Sequence, residues 1–201
     1  MEIRGEPAAA PVLIHPLSTS FCRLSAYTDT RPHKDRDMTQ SRNERDSVQR
    51  GRLLAPGMYD LNDIEIGDHF VTSGMTVTET HIVNFAGVSG DMYDIHLDDV
   101  AAQQAGFSGR IAHGLLGLAL TDGLKTRSPV RMSALATLSW NWSFRAPLLI
   151  GDRIQVDIEV VGKRVTKRID RGIATLKLSV LNQLGKVVQD GETLLLMTNR
   201  A

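Results

Sequence analysis

The sequence has little cysteine and no excess of either charge. The single cysteine, Cys22, cannot form an intrachain disulfide, and no CxxC pair or cysteine–histidine cluster indicates structural zinc. With 23 basic and 23 acidic residues, the charge balance favours neither nucleic acid nor an anionic membrane as a partner. No apolar run approaches the roughly 18 residues of a membrane span. We therefore predict a cytoplasmic protein in a reducing compartment.

The length and composition predict one ordinary domain with an added segment. A chain of 201 residues with 42% hydrophobic content can bury a real core. Residues 29–52 contain almost no large apolar side chain and show no period, so we interpret residues 1–57 as a flexible N-terminal extension and residues 58–201 as the folded domain. The extension is a regulatory or dimer-embracing arm, a disordered tail, or the product of an upstream start codon. Met38 and Met58 are the two other candidate starts.

Two short helices are predicted after a first strand. The strand is assigned to residues 69–77. Thr78 is then suited to cap a helix that begins at Glu79, and Asp98 is suited to cap a second one. Gly106 follows the second helix in the usual C-terminal position. These caps place the segment between the two helices in a defined turn.

A third helix differs from the other two. Residues 113–124, "HGLLGLALTDGL", are apolar nearly all round, which predicts that the helix is enclosed. Gly114 and Gly117 each lower helix propensity by about 1 kcal/mol relative to alanine. Such a cost indicates that another part of the backbone or a ligand approaches this end of the helix closely.

The C-terminal half is typical of an antiparallel sheet. Apolar and polar residues alternate in "LSWNWSF" (138–144) and "RIQVDIEVV" (153–161), and "IATLKLSVL" and "KVVQDGETLLLM" continue the pattern. Trp140 and Trp142 are interpreted as core or subunit-contact residues. The predicted fold class is α+β: a curved antiparallel sheet wrapped around the long apolar helix.

Titratable residues cluster just before that helix. Asp91 and His96 lie five residues apart, and a carboxylate with an imidazole can hold one water between them for proton transfer at neutral pH. The six histidines show no HExxH spacing, and no P-loop or GxGxxG element is present. The sequence therefore predicts no metal, nucleoside triphosphate or nicotinamide site.

Three motifs resemble the MaoC-like family, which includes the R-specific enoyl-CoA hydratases. They are "SGDMYDIH" (89–96), "RIAHGLLG" (110–117) and "WSFRAPLLIGD" (142–152). The resemblance covers residues 58–201. It implies the hot-dog fold, the addition of water to a 2-enoyl thioester or its removal from a 3-hydroxyacyl thioester, and a homodimer or dimer-based oligomer. Coenzyme A or acyl carrier protein would carry the substrate, with no cofactor beyond it.

The resemblance also assigns residues. It implies that Asp91 and His96 are catalytic and that the Gly114 N–H donates to the thioester oxygen, as the start of a helix can. Tyr93 and Asp94 stand where many members have asparagine and proline. We expect Tyr93 to influence the shape of the substrate that is accepted, and Asp94 to remove a rigid turn.

Further residues are candidates for substrate binding. His113 is expected either to orient the helix start and line the pocket, or to be a hydrogen-bonded core histidine. Arg110 lies just before it. Lys163 and Arg164 belong to a basic loop, residues 162–172, that would suit coenzyme A phosphates, although charged loops are usually just solvated.

Two other functions are compatible with the same fold. One is an acyl-CoA thioesterase, and the other is a non-catalytic acyl-thioester-binding module in which Tyr93 and Asp94 mark a decayed site. The occurrence of Asp91 and His96 on one segment ahead of the apolar helix favours the hydratase.

Overall fold

A computed structural model describes residues 51–199. The predicted flexible extension, apart from its last seven residues, lies outside the described residues. The helices within the described part are α1 Glu79–Ser89, α2 Asp94–Leu97, α3 Asp99–Gln104 and α4 Gly114–Thr126, preceded by a 3-10 turn at Leu61–Asp63. The strands are β1 Gly57–Tyr59, β2 His69–Val71, β3 Met75–Thr76, β4 Val130–Met132, β5 Ala134–Phe144, β6 Arg153–Val165, β7 Arg171–Leu181 and β8 Val187–Thr198.

The residues just before the predicted boundary at Met58 belong to the folded domain. Leu54 is buried in the core, and its N–H donates to the His69 carbonyl at 2.9 Å. Arg52 forms an ion pair with the buried Asp68 at 2.7 Å. The prediction that the ordered part begins at Met58 was therefore wrong, because a stretch with few apolar residues is held by backbone hydrogen bonds and one ion pair.

One antiparallel sheet organises the domain. Its strand order is β2-β6-β7-β8-β5, β3 also pairs with β6, and β1 and β4 form a separate parallel pair. The inward residues of β6 are Ile154, Val156, Ile158 and Val160, all fully buried. Their alternation with polar neighbours confirms the period-two pattern seen in the sequence. The α+β class is confirmed, with α4 packed on this apolar face through Leu116 and Leu124.

Two details of the predicted elements are corrected. The single strand expected over residues 69–77 is two strands, because residues 72–74 leave the ladder and Thr72 accepts a hydrogen bond from the Val156 N–H through its side chain. Helix α4 is enclosed on one side only. Leu115 is 62% exposed, and Ala119 and Gly123 continue that exposed face at intervals of four residues.

The predicted helix caps are confirmed. Thr78 caps α1, and its N–H donates to Nδ1 of His81 at 3.0 Å. The helix ends at Gly90, whose φ of 75° is a left-handed conformation that favours glycine. Asp98 accepts hydrogen bonds from the first N–H groups of α3. Gly90 and Asp98 lie on either side of the segment that contains Asp91, His96 and helix α2, so both ends of that segment are fixed.

Candidate active site

The turn after α1 positions the carboxylate of Asp91. The Asp91 N–H donates to the Ser89 hydroxyl at 3.2 Å, and that hydroxyl donates to the Phe85 carbonyl at 2.7 Å. One Asp91 carboxylate oxygen accepts from the Tyr93 N–H at 3.3 Å. The side chain is exposed, so it can meet a solvent molecule or a ligand without breaking a core contact.

Helix α2 presents His96 from the other side of the turn. The ring is only 8% exposed, and its Nδ1 lies 2.8 Å from the Ile111 carbonyl oxygen. Because a carbonyl oxygen can only accept, Nδ1 carries the hydrogen in this contact. In the neutral ring, Nε2 is then the nitrogen with a free lone pair.

His113 connects the two residues. It precedes α4, is 2% exposed, and its Nε2 donates to the backbone carbonyl of Asp91 at 3.0 Å. Its ring stacks on His96 with centroids 3.8 Å apart and also contacts Phe85 at 5.1 Å. Within the described residues, its Nδ1 is buried without a protein partner. One side chain therefore holds both members of the predicted pair.

A carboxylate and two imidazoles in one cluster could hold a metal ion. One ligand atom each of Asp91, His96 and His113 lies within 4.8 Å of the other two. The two rings are stacked at an interplanar angle of 29°, however, so their nitrogen lone pairs run side by side and do not converge on one point. His96 Nδ1 and His113 Nε2 already bond to carbonyls. The geometry suits proton transfer better than the tetrahedral coordination that zinc prefers.

Gly114 is the first residue of α4, beside this cluster. The first four N–H groups of a helix have no partner within the helix, and they lie at the positive end of its dipole. A Cβ at this position would come within 2.9 Å of Cε1 of Phe144. A side chain at position 114 would therefore displace the Phe144 ring, and glycine leaves no side chain beside its own amide.

These groups line one cavity of about 690 Å³. Its polar wall contains Asp91, His96, His113 and Gly114. Its remaining wall is mostly apolar and includes the rings of Phe85, Phe107 and Phe144. A mostly apolar cavity with a few polar groups at one end is typical of a site for an acyl chain with a reactive head.

Comparisons with known proteins identify the family. The family model "MaoC like domain" matches residues 62–181. The chain belongs to the MaoC-like family. A 3-hydroxybutyryl-CoA dehydratase of Methylorubrum extorquens is 33% identical over 135 residues, which are 67% of this chain and 81% of that protein. An (R)-specific enoyl-CoA hydratase of Rhodospirillum rubrum is 32% identical over 144 residues, 71% of this chain and 94% of that one.

Solved structures confirm the hot-dog fold. A Mycobacterium tuberculosis protein with a double hotdog fold superposes with a TM-score of 0.65 at 21% identity, and the match covers 73% of this chain and 46% of that one. At this identity the likeness shows the fold alone. The chain spans about a third of Protein MaoC of Klebsiella aerogenes, with 36% identity over 105 residues that are 31% of that protein.

Two of the predicted binding residues of this MaoC-like chain lie at the other end of the sheet. The Lys163 ammonium donates to the Ile64 carbonyl at 2.6 Å and pairs with Glu65 at 2.9 Å. In the sheet, Val156 of β6 pairs with Val180 of β7, which pairs with the cavity-lining Gln189 of β8. Lys163 lies seven residues farther along β6 than Val156. This separation is roughly 23 Å at the usual rise per residue. Within one chain, Lys163 and the adjacent Arg164 lie away from the cavity, and their binding to coenzyme A stays a prediction.

Arg110 is engaged in structural ion pairs. Its guanidinium bonds to Glu79 at 2.7 Å and pairs with Asp99 at 3.2 Å, which ties the first turns of α1 and α3 together. The hydrogen bond from Arg110 to Glu79, with the nearby Asp99, raises the pKa of the arginine above its usual value. Arg110 is paired with both carboxylates and is not among the residues that line the cavity. Within one chain, the structure therefore does not bring Arg110 to the site.

The two residues that depart from the family pattern, Tyr93 and Asp94, are exposed and lie close to His96 in the chain. Tyr93 is 65% exposed, and its ring centroid lies 6.5 Å from that of His96 in an edge-to-face arrangement. Asp94 is exposed and begins α2, the helix that carries His96. An aspartate in the first turn favours the helix through the dipole, so α2 forms here without proline.

Among the cavity residues that sequence reasoning did not assign to the site, Arg145 and Gln189 have the longest polar side chains. Arg145 lies at the rim, with its Nε donating to Asp190 at 2.9 Å, and Gln189 lies on the wall. Arg145 falls inside the third motif and could have been found there as the one cation beside the Ala-Pro turn. Gln189 sits in an ordinary strand pattern, where no local signal distinguishes it.

Proposed function

We propose that this chain adds water to a 2-enoyl thioester and removes it from the 3-hydroxyacyl thioester in the reverse direction. The observation that carries the proposal is the position of Asp91 and His96, both on one cavity wall beside the first residue of α4. The named relatives are hydratases and dehydratases of acyl-CoA, which supports the same chemistry.

In the proposed reaction, one water molecule lies between the two side chains. His96 Nε2 accepts a proton from this water, while the Asp91 carboxylate orients it by accepting its second hydrogen. The hydroxyl bonds to the β-carbon, and the electron pair of the double bond moves toward the thioester carbonyl. The proton held by His96 then passes to the α-carbon. Both side chains return to their starting protonation states, and all atoms of the water molecule are in the 3-hydroxyacyl product.

The oxygen of the thioester gains negative charge in the intermediate. The Gly114 N–H would donate to this oxygen, aided by the positive end of the α4 dipole. Donors of this type contribute about 10²- to 10³-fold to turnover in other enzymes. His113 would keep the pair aligned through its stacking on His96 and its hydrogen bond to the Asp91 backbone.

We further propose coenzyme A as the carrier, with Arg145 as the cation nearest to its phosphates. Arg145 lies at the cavity rim and is more than half exposed. Its pairing with Asp190 leaves the planar guanidinium able to bind a phosphate with its other N–H groups. The proposed reaction needs no cofactor besides the coenzyme A on the substrate.

The proposed assembly is a homodimer built on β5. This strand is at the edge of the sheet, and its residues 134–139 are exposed, including Leu135 and Leu138. A long apolar edge strand is prone to pair with another chain. No helix within residues 51–199 is long and apolar enough to cross a bilayer. We propose that the dimer works in the cytoplasm.

One assay tests the function against its rivals. The full chain is mixed with trans-2-butenoyl-CoA, and the ultraviolet absorbance of the conjugated thioester is followed together with free thiol. Loss of absorbance without thiol release is the expected result. Thiol release would indicate a thioesterase. No change with butenoyl, hexenoyl or octenoyl chains would indicate a binding module and would overturn the proposal.

A further inference from the structure

Gln189 connects three elements at the first turn of α4. It lies on β8, is only 2% exposed, and lines the cavity. Its Nε2 donates to the backbone carbonyl of Gly114 at 3.2 Å, and its Oε1 accepts from the indole Nε1 of Trp142 on β5 at 3.0 Å. The side chain therefore joins β5 and β8 to the residue proposed to stabilise the intermediate.

The chemistry of the two partners fixes the orientation of this amide. An indole N–H can only donate, so it must face the oxygen of Gln189. A backbone carbonyl can only accept, so it must face the nitrogen. A flipped amide would lose both hydrogen bonds at once in a buried place, where an unpaired polar group is unfavourable.

Gly117 provides the space that this contact needs. A Cβ at Gly117 would lie 2.2 Å from Nε2 of Gln189, which is a severe overlap. Gly114 and Gly117 are three residues apart and lie on neighbouring parts of one helix face. Their cost in helix propensity is therefore explained by the close approach of Phe144 to one and of Gln189 to the other.

Gly114 has a particular need for an outside anchor. Glycine has more backbone freedom than any other residue, and the N–H of the first residue of a helix has no acceptor within the helix. A small rotation at this position would turn the N–H away from the substrate oxygen. A displacement of about 1 Å can reduce turnover by about 10²-fold.

We propose that Gln189 is a positioning residue that holds the Gly114 carbonyl, and with it the first turn of α4, so that the Gly114 N–H keeps the orientation needed to bind the thioester oxygen. This role rests on the proposed hydratase function. Gln189 acts through Gly114 and Trp142, and it would change turnover more than substrate affinity.

Two substitutions of Gln189 test the role through steady-state kinetics. Gln189→Met keeps the length and removes both hydrogen bonds. Gln189→Glu keeps an oxygen toward Trp142 but places a carboxylate oxygen against the Gly114 carbonyl, where the two repel. We expect kcat to fall about 10- to 100-fold in both, with KM within about twofold of the original value. Gln155→Glu, the same change on β6 outside the cavity wall, serves as the control and should leave both constants unchanged.

The pH profile separates positioning from general damage. In the Gln189→Glu variant, the introduced carboxyl group can donate to the Gly114 carbonyl once it is protonated, as the glutamine amide does. The ratio of kcat for Gln189→Glu to kcat for the original chain should therefore rise as the pH falls, whereas the ratio for Gln189→Met should stay flat. Unchanged kcat in both variants, or the same flat ratio for both, would overturn the role of Gln189.

A readout independent of activity keeps this proposal separate from the hydratase proposal. With ¹⁵N-glycine labelling, the backbone order parameter of Gly114 should fall in Gln189→Met relative to the original chain. An unchanged order parameter would refute the positioning role even if the chain hydrates enoyl thioesters. If no enoyl thioester is hydrated, the hydratase proposal fails, and this measurement alone decides whether Gln189 holds Gly114.

Discussion

The imidazole rings of His96 and His113 stack with their centroids 3.8 Å apart, and His113 also donates to the backbone of Asp91. Stacking fixes the plane of the His96 ring, while the Ile111 carbonyl fixes which nitrogen carries its hydrogen. The free nitrogen of His96 is therefore aimed by two independent contacts. Such second contacts commonly decide whether a site is precise enough for catalysis.

Removal of either member of the pair should abolish most turnover. Asp91→Asn keeps the shape but weakens the acceptor for water, and His96→Ala removes the nitrogen that takes the proton. We expect kcat to fall by about 10²- to 10⁴-fold in each, measured as absorbance loss of an enoyl-CoA. The melting temperature should change little for Asp91→Asn, because this side chain is exposed. Full activity in one of the variants would remove the substituted residue from the mechanism.

His113 should behave as a support of the pair. His113→Phe keeps a ring to stack on His96 but removes the hydrogen bond to Asp91, so we expect kcat to fall about 5- to 10-fold, the equivalent of one hydrogen bond. His113→Ala also removes the stacking, so kcat should fall further. Equal kcat values in the two variants would show that the stacking has no role. The kinetics should be compared with thermal unfolding of each variant.

Arg145, and not Lys163, should contribute to recognition of coenzyme A. In Arg145→Ala we expect KM for the enoyl-CoA to rise about 2- to 5-fold, the size typical of an exposed ion pair. KM for the matching enoyl-pantetheine thioester, which has no coenzyme A phosphate, should not change. Lys163→Ala is the matched control and should leave both KM values as they are. The reverse pattern would support the basic loop as the phosphate site.

The ion pair at the start of the domain should make stability depend on pH. Burial alone would raise the pKa of the Asp68 carboxyl, but hydrogen bonds from Arg52 and from the Glu65 N–H together hold this pKa below its usual range. The resulting stabilisation is fully present above the unfolded pKa of about 3.9 and is lost as the pH falls through the lower folded pKa.

Asp68→Asn tests this dependence. At pH 7 we expect the free energy of unfolding in urea to fall by about 1–2 kcal/mol, because a charged acceptor is replaced by a neutral amide. As the pH falls below about 4, the carboxyl of the original chain is protonated first in the unfolded state and then, at its lower pKa, in the folded state, so the difference should shrink. A difference that stays constant from pH 7 to pH 3 would mean that the charge of Asp68 does not stabilise the fold.

The proposed dimer depends on the β5 edge. Leu138→Lys places a charge on this exposed strand and should shift the chain from two copies to one in light scattering. Leu184→Lys makes the same change at an exposed residue of the turn between β7 and β8 and should leave the mass unchanged. A dimer that persists in Leu138→Lys would place the contact elsewhere.

Local signals predicted most of the fold and the proximity of Asp91 to His96. Thr78 and Asp98 were identified as caps because capping depends on one side chain and the next three residues. The motif around Asp91 and His96 was informative because both residues lie on one turn of chain, so that their spacing in sequence limits their spacing in the fold.

The features that the sequence did not predict concern relations between distant parts of the chain. Lys163 was assigned to the site by its charge, but its distance from the cavity depends on the register of three strands, which the loop sequence does not contain. Helix α4 was expected to be enclosed, although Leu115 lies on a face that one chain leaves open. Gln189 was missed because its partners, Gly114 and Trp142, become neighbours only when the sheet has formed.

The overlap that any side chain at Gly117 would make with Gln189 has a consequence for protein engineering. Positions 117 and 189 should be changed together, because a methyl group at position 117 takes the space that the end of the Gln189 side chain occupies. In a mutant library that randomises position 117 alone, every side chain would have to displace the end of Gln189 from its two hydrogen bonds. Paired libraries, with alanine or serine at 117 and small residues at 189, offer a direct way to reshape the cavity wall.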